Sequence, residues 1–211
     1  MNFLAHLHIS PNHQLVRVFN FTGDGYKGNT WKKHASPEEI HGVGLHRFID
    51  HFTDGHPLTK EVLSALRPTL GRVAGVGLDL FGDYFLHKHW EEFRMLQSFT
   101  QEHSSESFTD MCMNEIAEHR GLLKGKARNM APHLLRENWI MSYKELNGLN
   151  TAAKGISMRH PVAQPLRGYF ENLPDGHYDL AEQWMLDFYP ELMQAGQNWS
   201  KEMIERHGPL K

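Results

Sequence analysis

The sequence predicts an all-α protein, a single-domain helical bundle, and three observations carry that prediction. Alternating Val/Ile/Thr runs of the kind that build strands are nearly absent. Apolar residues instead recur at helical spacing throughout, as in Leu45, Phe48, Ile49 and Phe52, which follow i, i+3, i+4, i+7. The chain of 211 residues is long enough to bury a core within one domain, and it contains no repeat, low-complexity tract or Pro/Gly/Ser-rich linker.

In chain order, a short first helix is expected over 2–9, ahead of Pro11, and a second over 12–21, ending at the turn-rich Gly23-Asp24-Gly25. Ser36-Pro37-Glu38-Glu39 is a strong helix start, with Ser as N-cap, Pro in the first helical position and two acids in the first turn. That helix should run to about Thr53, before Gly55-His56-Pro57. Further helices fit 58–66, 106–121, 127–147, 151–157, 162–171 and 177–206, with the longest stretch, kinked, at 71–99. Pro132, Pro161, Pro165 and Pro190 should mark starts or bends.

Composition narrows the partners. Hydrophobic residues make up 40% and charged residues 22%, a globular balance with no apolar run long enough to span a bilayer, so no membrane role is expected. The net charge of −3 gives no electrostatic reason for a nucleic-acid partner. A single cysteine, Cys112, excludes an internal disulfide, and the opening MNFLAHLHIS lacks the pattern of a secretory signal; both fit a cytoplasmic protein. No Ser nucleophile elbow, P-loop or dinucleotide fingerprint is present. The unusual quantity is histidine, 16 in the chain, and its spacing has to decide what it means.

Two rows of metal-type side chains stand out. His46, Asp50 and Asp54 follow i, i+4, i+8 along the edge of the Leu45–Phe52 apolar stripe, so they share one side of a helix. Asp79, Asp83 and His87 repeat the spacing, but their row falls in the same arc as Val76 and Leu80, which should face the core. Inward carboxylates are costly unless paired or bound to a metal, and helical bundles build metal sites from facing helices. A shared ion held by His46, Asp50, Asp79 and Asp83 would satisfy both rows. Mixed nitrogen and oxygen donors suit Mn²⁺, Fe²⁺ or Zn²⁺, and the carboxylate-rich set leans towards Mn²⁺ or Mg²⁺.

The third feature is Asn20-Phe21-Thr22-Gly23-Asp24-Gly25-Tyr26-Lys27-Gly28-Asn29. Flanking glycines let the backbone turn tightly and expose Asp24, with Lys27 nearby as a phosphate contact. His6 and His8, two residues apart, cannot share a target on a helix; His6, on the face of Asn2, is the one expected to reach the site.

These segments carry a resemblance. Met-Asn-Phe-Leu-Ala-His-Leu-His at the start, Asn-Phe-Thr-Gly-Asp-Gly-Tyr-Lys-Gly at 20–28, Gly-Val-Gly-Leu-His-Arg-Phe-Ile-Asp-His-Phe-Thr-Asp-Gly-His-Pro at 42–57 and Asp-Leu-Phe-Gly-Asp-Tyr-Phe-Leu at 79–86 resemble, in order and spacing, the motifs of acyl carrier protein phosphodiesterases. The later half is similar more loosely, at 139–143 and 188–192. The resemblance implies a helical fold distantly related to HD-type phosphohydrolases. It also implies a Mn²⁺ requirement, and hydrolysis of the phosphodiester joining 4'-phosphopantetheine to a serine of holo-acyl carrier protein. By motif match it carries Asp24, His46, Asp50, Asp79 and Asp83 over as functional positions.

On that reading the metal, Mn²⁺ first with Mg²⁺, Fe²⁺ or Zn²⁺ as alternatives, polarises a phosphoryl oxygen and acidifies water. Asp24 accepts the proton, His87 protonates the leaving oxygen, and Lys27 and Arg47 neutralise the phosphate, with Asp54 and His6 touching substrate. An acidic carrier protein asks for a basic rim, for which Lys27, Lys32, Lys33 and Arg47, with Lys124, Lys126 and Arg128, are the candidates. The alternative is an HD-like phosphohydrolase acting on a nucleotide or other small phosphoester, which needs no such rim.

Overall fold

The computed structural model describes residues 3–210, so Asn2 lies outside the described residues. Among those residues every regular element is helical, as the absence of strand signals predicts. In order these are α1 (Phe3–Ile9), α2 (Gln14–Phe21), α3 (Pro37–Gly55), α4 (Pro57–Leu70), α5 (Ala74–Lys88), α6 (Trp90–Phe93), α7 (Ser105–Glu118), α8 (Gly125–Glu137), α9 (Trp139–Ser142), α10 (Leu146–Arg159) and α11 (His177–His207). None is long and apolar enough to cross a membrane.

Local chemistry sets most of the boundaries. The Ser36 side chain accepts a hydrogen bond from the Glu39 N–H at 3.1 Å, Pro37 follows, and Glu38 and Glu39 occupy the first turn, so α3 begins where its signals place it. It ends at His56, whose extended backbone (φ −69, ψ 137) is what a residue before proline adopts.

Two expected helices are broken. The 127–147 stretch divides at Asn138, whose left-handed backbone (φ 46, ψ 54) separates α8 from α9. The 71–99 stretch divides at His89 and continues only as the single turn of α6 and short 3₁₀ segments. The longest helix is therefore α11, with 31 residues, and it runs through Pro190 without ending there. The 162–171 segment holds a 3₁₀ turn over Pro161–Leu166 in place of an α-helix.

The short α1 is the centre of the bundle. Residues Leu4 to Ile9 are all buried, and α1 packs against α2, α5 and α11. A helix buried on every side must also hide its polar residues, and this is how His6 and His8 enter the interior. Around it, α11 lies across α3, α4 and α5, and α2 lies along α3. Phe81, Phe85, Phe108, Phe188 and Tyr189 are among the largest fully buried side chains. Truncating any one of these phenylalanines to alanine should cost about 3–5 kcal/mol.

Candidate active site

α1, α3 and the Gly23–Gly25 turn bring three motifs to one point. His6 Nε2 lies 3.3 Å from Asp50 Oδ1, and His46 Nε2 lies 3.3 Å from Asp50 Oδ2. The two imidazole rings stack with centroids 4.3 Å apart, and His46 Nε2 is 3.4 Å from Asp24 Oδ1. His6 and His46 are buried, whereas the side chains of Asp50 and Asp24 are 40% and 68% exposed. Charge therefore increases from the buried imidazoles outwards to the carboxylates.

The Gly-Asp-Gly turn is required by packing more than by flexibility. A Cβ on Gly23 would fall 2.3 Å from Cγ of His46, so only glycine lets the turn pass over that ring. A Cβ on Gly25 would fall 2.6 Å from the Lys124 carbonyl carbon and oxygen. The same contact is clamped by Thr22, whose hydroxyl accepts from the Lys124 N–H at 2.7 Å and donates to the Lys124 carbonyl at 3.2 Å. Docked in this way, the start of α8 supplies one wall of the site.

The cluster opens into a cavity of about 450 Å³. Asp24, Asp50, Asp54 and Asp79 line it together with His6 and His46; α8 contributes Lys126, Ala127 and Met130, and Phe3 and Phe21 add an apolar face. Four carboxylates facing one lysine leave the cavity strongly negative at neutral pH.

The electrostatics follow the burial. Burial raises the Asp50 carboxyl, but the contacts and charges of His6 and His46 outweigh it and hold Asp50 at about 2. Burial, and next the neighbouring His46, lower the His6 imidazole, while Asp50 pulls it the other way. Contact with His46 holds the Asp24 carboxyl below its ordinary value.

The donor set suits a divalent cation. Donor atoms of His6, His46 and Asp50 lie within 4.8 Å of one another, the one such group among the described residues. Two ligands bound at about 2.1–2.2 Å and roughly right or tetrahedral angles stand about 3.0–3.5 Å apart, which matches the 3.3 Å separations found here. Both ring nitrogens of His46 are buried without a hydrogen-bond partner, although Nε2 faces two carboxylates. Buried polar atoms are rarely left so unless something else satisfies them.

The sequence-predicted residues divide into three groups. Asp24, His46, Asp50, Asp54 and Asp79 are brought to the cavity. His6 is brought there too, but inside the donor cluster, not at its edge as a substrate contact. His8 points elsewhere, its Nδ1 meeting the Tyr189 hydroxyl at 2.7 Å, as the two-residue spacing requires.

The remaining four are placed away from the cavity. Asp83 is fully buried and caps α1: its Oδ1 accepts from the N–H groups of Leu4 and Ala5 at 3.1 and 3.4 Å. Burial outweighs those bonds and raises its carboxyl to about 7. The expected ligand is thus a support for the helix that carries His6. His87, expected to protonate the leaving oxygen, does not line the cavity: its Nδ1 meets the Ser105 hydroxyl at 3.1 Å and its Nε2 the Ile140 carbonyl at 2.9 Å. Arg47 donates to the carbonyls of Tyr26 and Gly28 and to Asn29 Oδ1, so it holds the loop following the Gly-Asp-Gly turn. Lys27 is exposed on that loop and does not line the cavity. Lys126 is the cation in the wall; the sequence offered it only as one basic residue of a cluster.

A helical protein with a carboxylate- and imidazole-lined pocket is the class that fold and site define. The chain belongs to the acyl carrier protein phosphodiesterase family, whose model matches residues 1–192. Proteins named acyl carrier protein phosphodiesterase from Yersinia enterocolitica and Enterobacter sp. are 31% and 30% identical to it, each over 94% of this chain and 98% of the relative. One from Photorhabdus laumondii is 29% identical over 94% of this chain and 96% of the relative. No solved structure matches the chain at a significant level.

Proposed function

We propose that this phosphodiesterase hydrolyses the bond between 4'-phosphopantetheine and the serine of holo-acyl carrier protein, using a divalent cation at His6, His46 and Asp50. The observation that carries the reading is the three-donor cluster at the base of a negative cavity that also contains one lysine. A cation there, Mn²⁺ by the carboxylate-rich surroundings with Mg²⁺, Fe²⁺ or Zn²⁺ as alternatives, supplies charge to a phosphoryl oxygen and lowers the pKa of nearby water.

The chain's own groups do the rest. Lys126 approaches the phosphate from α8 and offsets its charge. Asp24, ionised at neutral pH, is exposed enough to accept a proton from water attacking phosphorus. The water oxygen bonds to phosphorus, the bond to the serine oxygen breaks, and the serine oxygen takes up a proton to leave apo-carrier protein. Phe3, Phe21, Ala127 and Met130 give the pantetheine arm an apolar wall. Lys126 lines the cavity, and with exposed Lys27, Lys32, Lys33, Lys124 and Arg128 it is a candidate for the basic rim that an acidic carrier protein would meet.

Incubation with holo-carrier protein and Mn²⁺, read by mass spectrometry, tests this. Loss of the phosphopantetheine mass from the carrier is the expected result. A carrier that keeps its full mass while small phosphoesters are turned over would replace this substrate with the nucleotide-type alternative.

A further inference from the structure

The hydrogen bonds around Asn20 determine more than its own position. Asn20 is fully buried on α2 and faces His6 on α1. Its Nδ2 donates to the His6 carbonyl at 2.7 Å and to the Ser10 hydroxyl at 2.9 Å. The Ser10 hydroxyl in turn donates to the same His6 carbonyl at 2.9 Å, so its oxygen is left to accept from Asn20. A backbone carbonyl can only accept, which places the NH₂ of Asn20 on that side and leaves its Oδ1 for the other. Oδ1 stands 2.9 Å from His6 Nδ1 and can only accept there, so that nitrogen carries the proton. The opposite nitrogen, Nε2, is the one aimed at Asp50.

We infer that Asn20, oriented by Ser10, is a positioning residue that fixes a proton on His6 Nδ1 and so turns Nε2 towards Asp50 and the cavity. The use of Nε2 by a cation rests on the reading proposed above; the proton on Nδ1 does not. Outer residues of this kind set ring orientation and donor basicity at metal sites, and losing one typically weakens metal affinity about 10–100-fold.

That proton is directly measurable. In ¹⁵N-histidine-labelled cation-free protein, the Nδ1 of His6 should give a protonated-type shift. The variant Asn20→Leu removes the acceptor; it should release the preference for a proton on Nδ1 and weaken Mn²⁺ binding about tenfold or more in calorimetric titration. Asn20→Asp keeps an acceptor facing Nδ1 and should retain the proton there. An unprotonated Nδ1 in the native protein overturns the inference whatever the variants do, as does Asn20→Leu with native Nδ1 protonation and native Mn²⁺ affinity. If native His6 carries the Nδ1 proton but the protein binds no divalent cation, the inference stands and the cation reading of the site falls.

Discussion

The helices α3 and α5 carry the same residue types at the same spacing, and the fold uses them for different ends. On α3, His46, Asp50 and Asp54 all line the cavity. On α5 only Asp79 does; Asp83 one turn on caps α1, and His87 a turn further joins Ser105 and the Ile140 carbonyl. Spacing at i, i+4, i+8 establishes that three side chains share a face. What that face meets depends on the neighbours of the helix. α3 lies beside the Gly23–Gly25 turn at the edge of the bundle, whereas α5 passes beneath α1 into the core.

The sharpest test of that difference is turnover. On the proposed reading, His46→Ala or Asp50→Ala should reduce hydrolysis of holo-carrier protein by about 10³-fold or more with the fold retained, because each would remove a donor to the cation. Asp83→Asn should stay within a few-fold of native, since the amide oxygen can still accept from Leu4 and Ala5. If Asp83→Asn is as inactive as Asp50→Ala, the α5 row belongs to the chemistry after all, and the contrast drawn here is wrong.

A second test separates the rows by pH and stability. Asp83, raised to about 7, favours the folded state while protonated; that contribution is complete below its ordinary pKa near 4 and is lost as pH rises through about 7. His87, lowered to about 4 mainly by burial, has the opposite sign: its contribution is complete above the ordinary histidine value of 6.5 and is lost as pH falls towards 4. The melting-temperature advantage of Asp83→Asn over the native protein should therefore widen between pH 5 and pH 8, by an amount corresponding to roughly 3 kcal/mol. His87→Gln should give a shallower fall in melting temperature than native between pH 6.5 and 4. Thermal melts across pH 4–8 read both, and equal slopes in native and variant proteins would remove the buried-titration account of α5.

How much of this was legible in the sequence follows from the same contrast. The all-α class, the start of α3 and the α3 row were readable because caps and helical spacing are local. The inward direction of the α5 row was readable too, from Val76 and Leu80, but its partners were not: they are N–H groups, a hydroxyl and a carbonyl contributed by α1, α7 and α9. Arg47 illustrates the limit in the other direction. Its charge suggested phosphate, yet a basic side chain beside a glycine-rich loop meets backbone carbonyls first, here those of Tyr26 and Gly28. Asn20 lies inside the 20–29 motif with no role evident from sequence, because an amide shows its function only when both of its ends have partners.

The smallest expected effect lies at the end of the α3 row. Asp54 lines the cavity but is exposed, and it is not one of the three clustered donors. If it acts only through charge, Asp54→Asn should weaken Mn²⁺ binding by no more than about threefold at low salt, because exposed charges act through a high dielectric. The difference should fade as ionic strength rises towards 1 M, where screening acts over about 3 Å. Calorimetric titrations at low and high salt would show it. A loss beyond about thirtyfold that persists at high salt would mean that Asp54 binds the cation directly. The α3 row would then supply three donors along its whole length, one turn further than the present separations support.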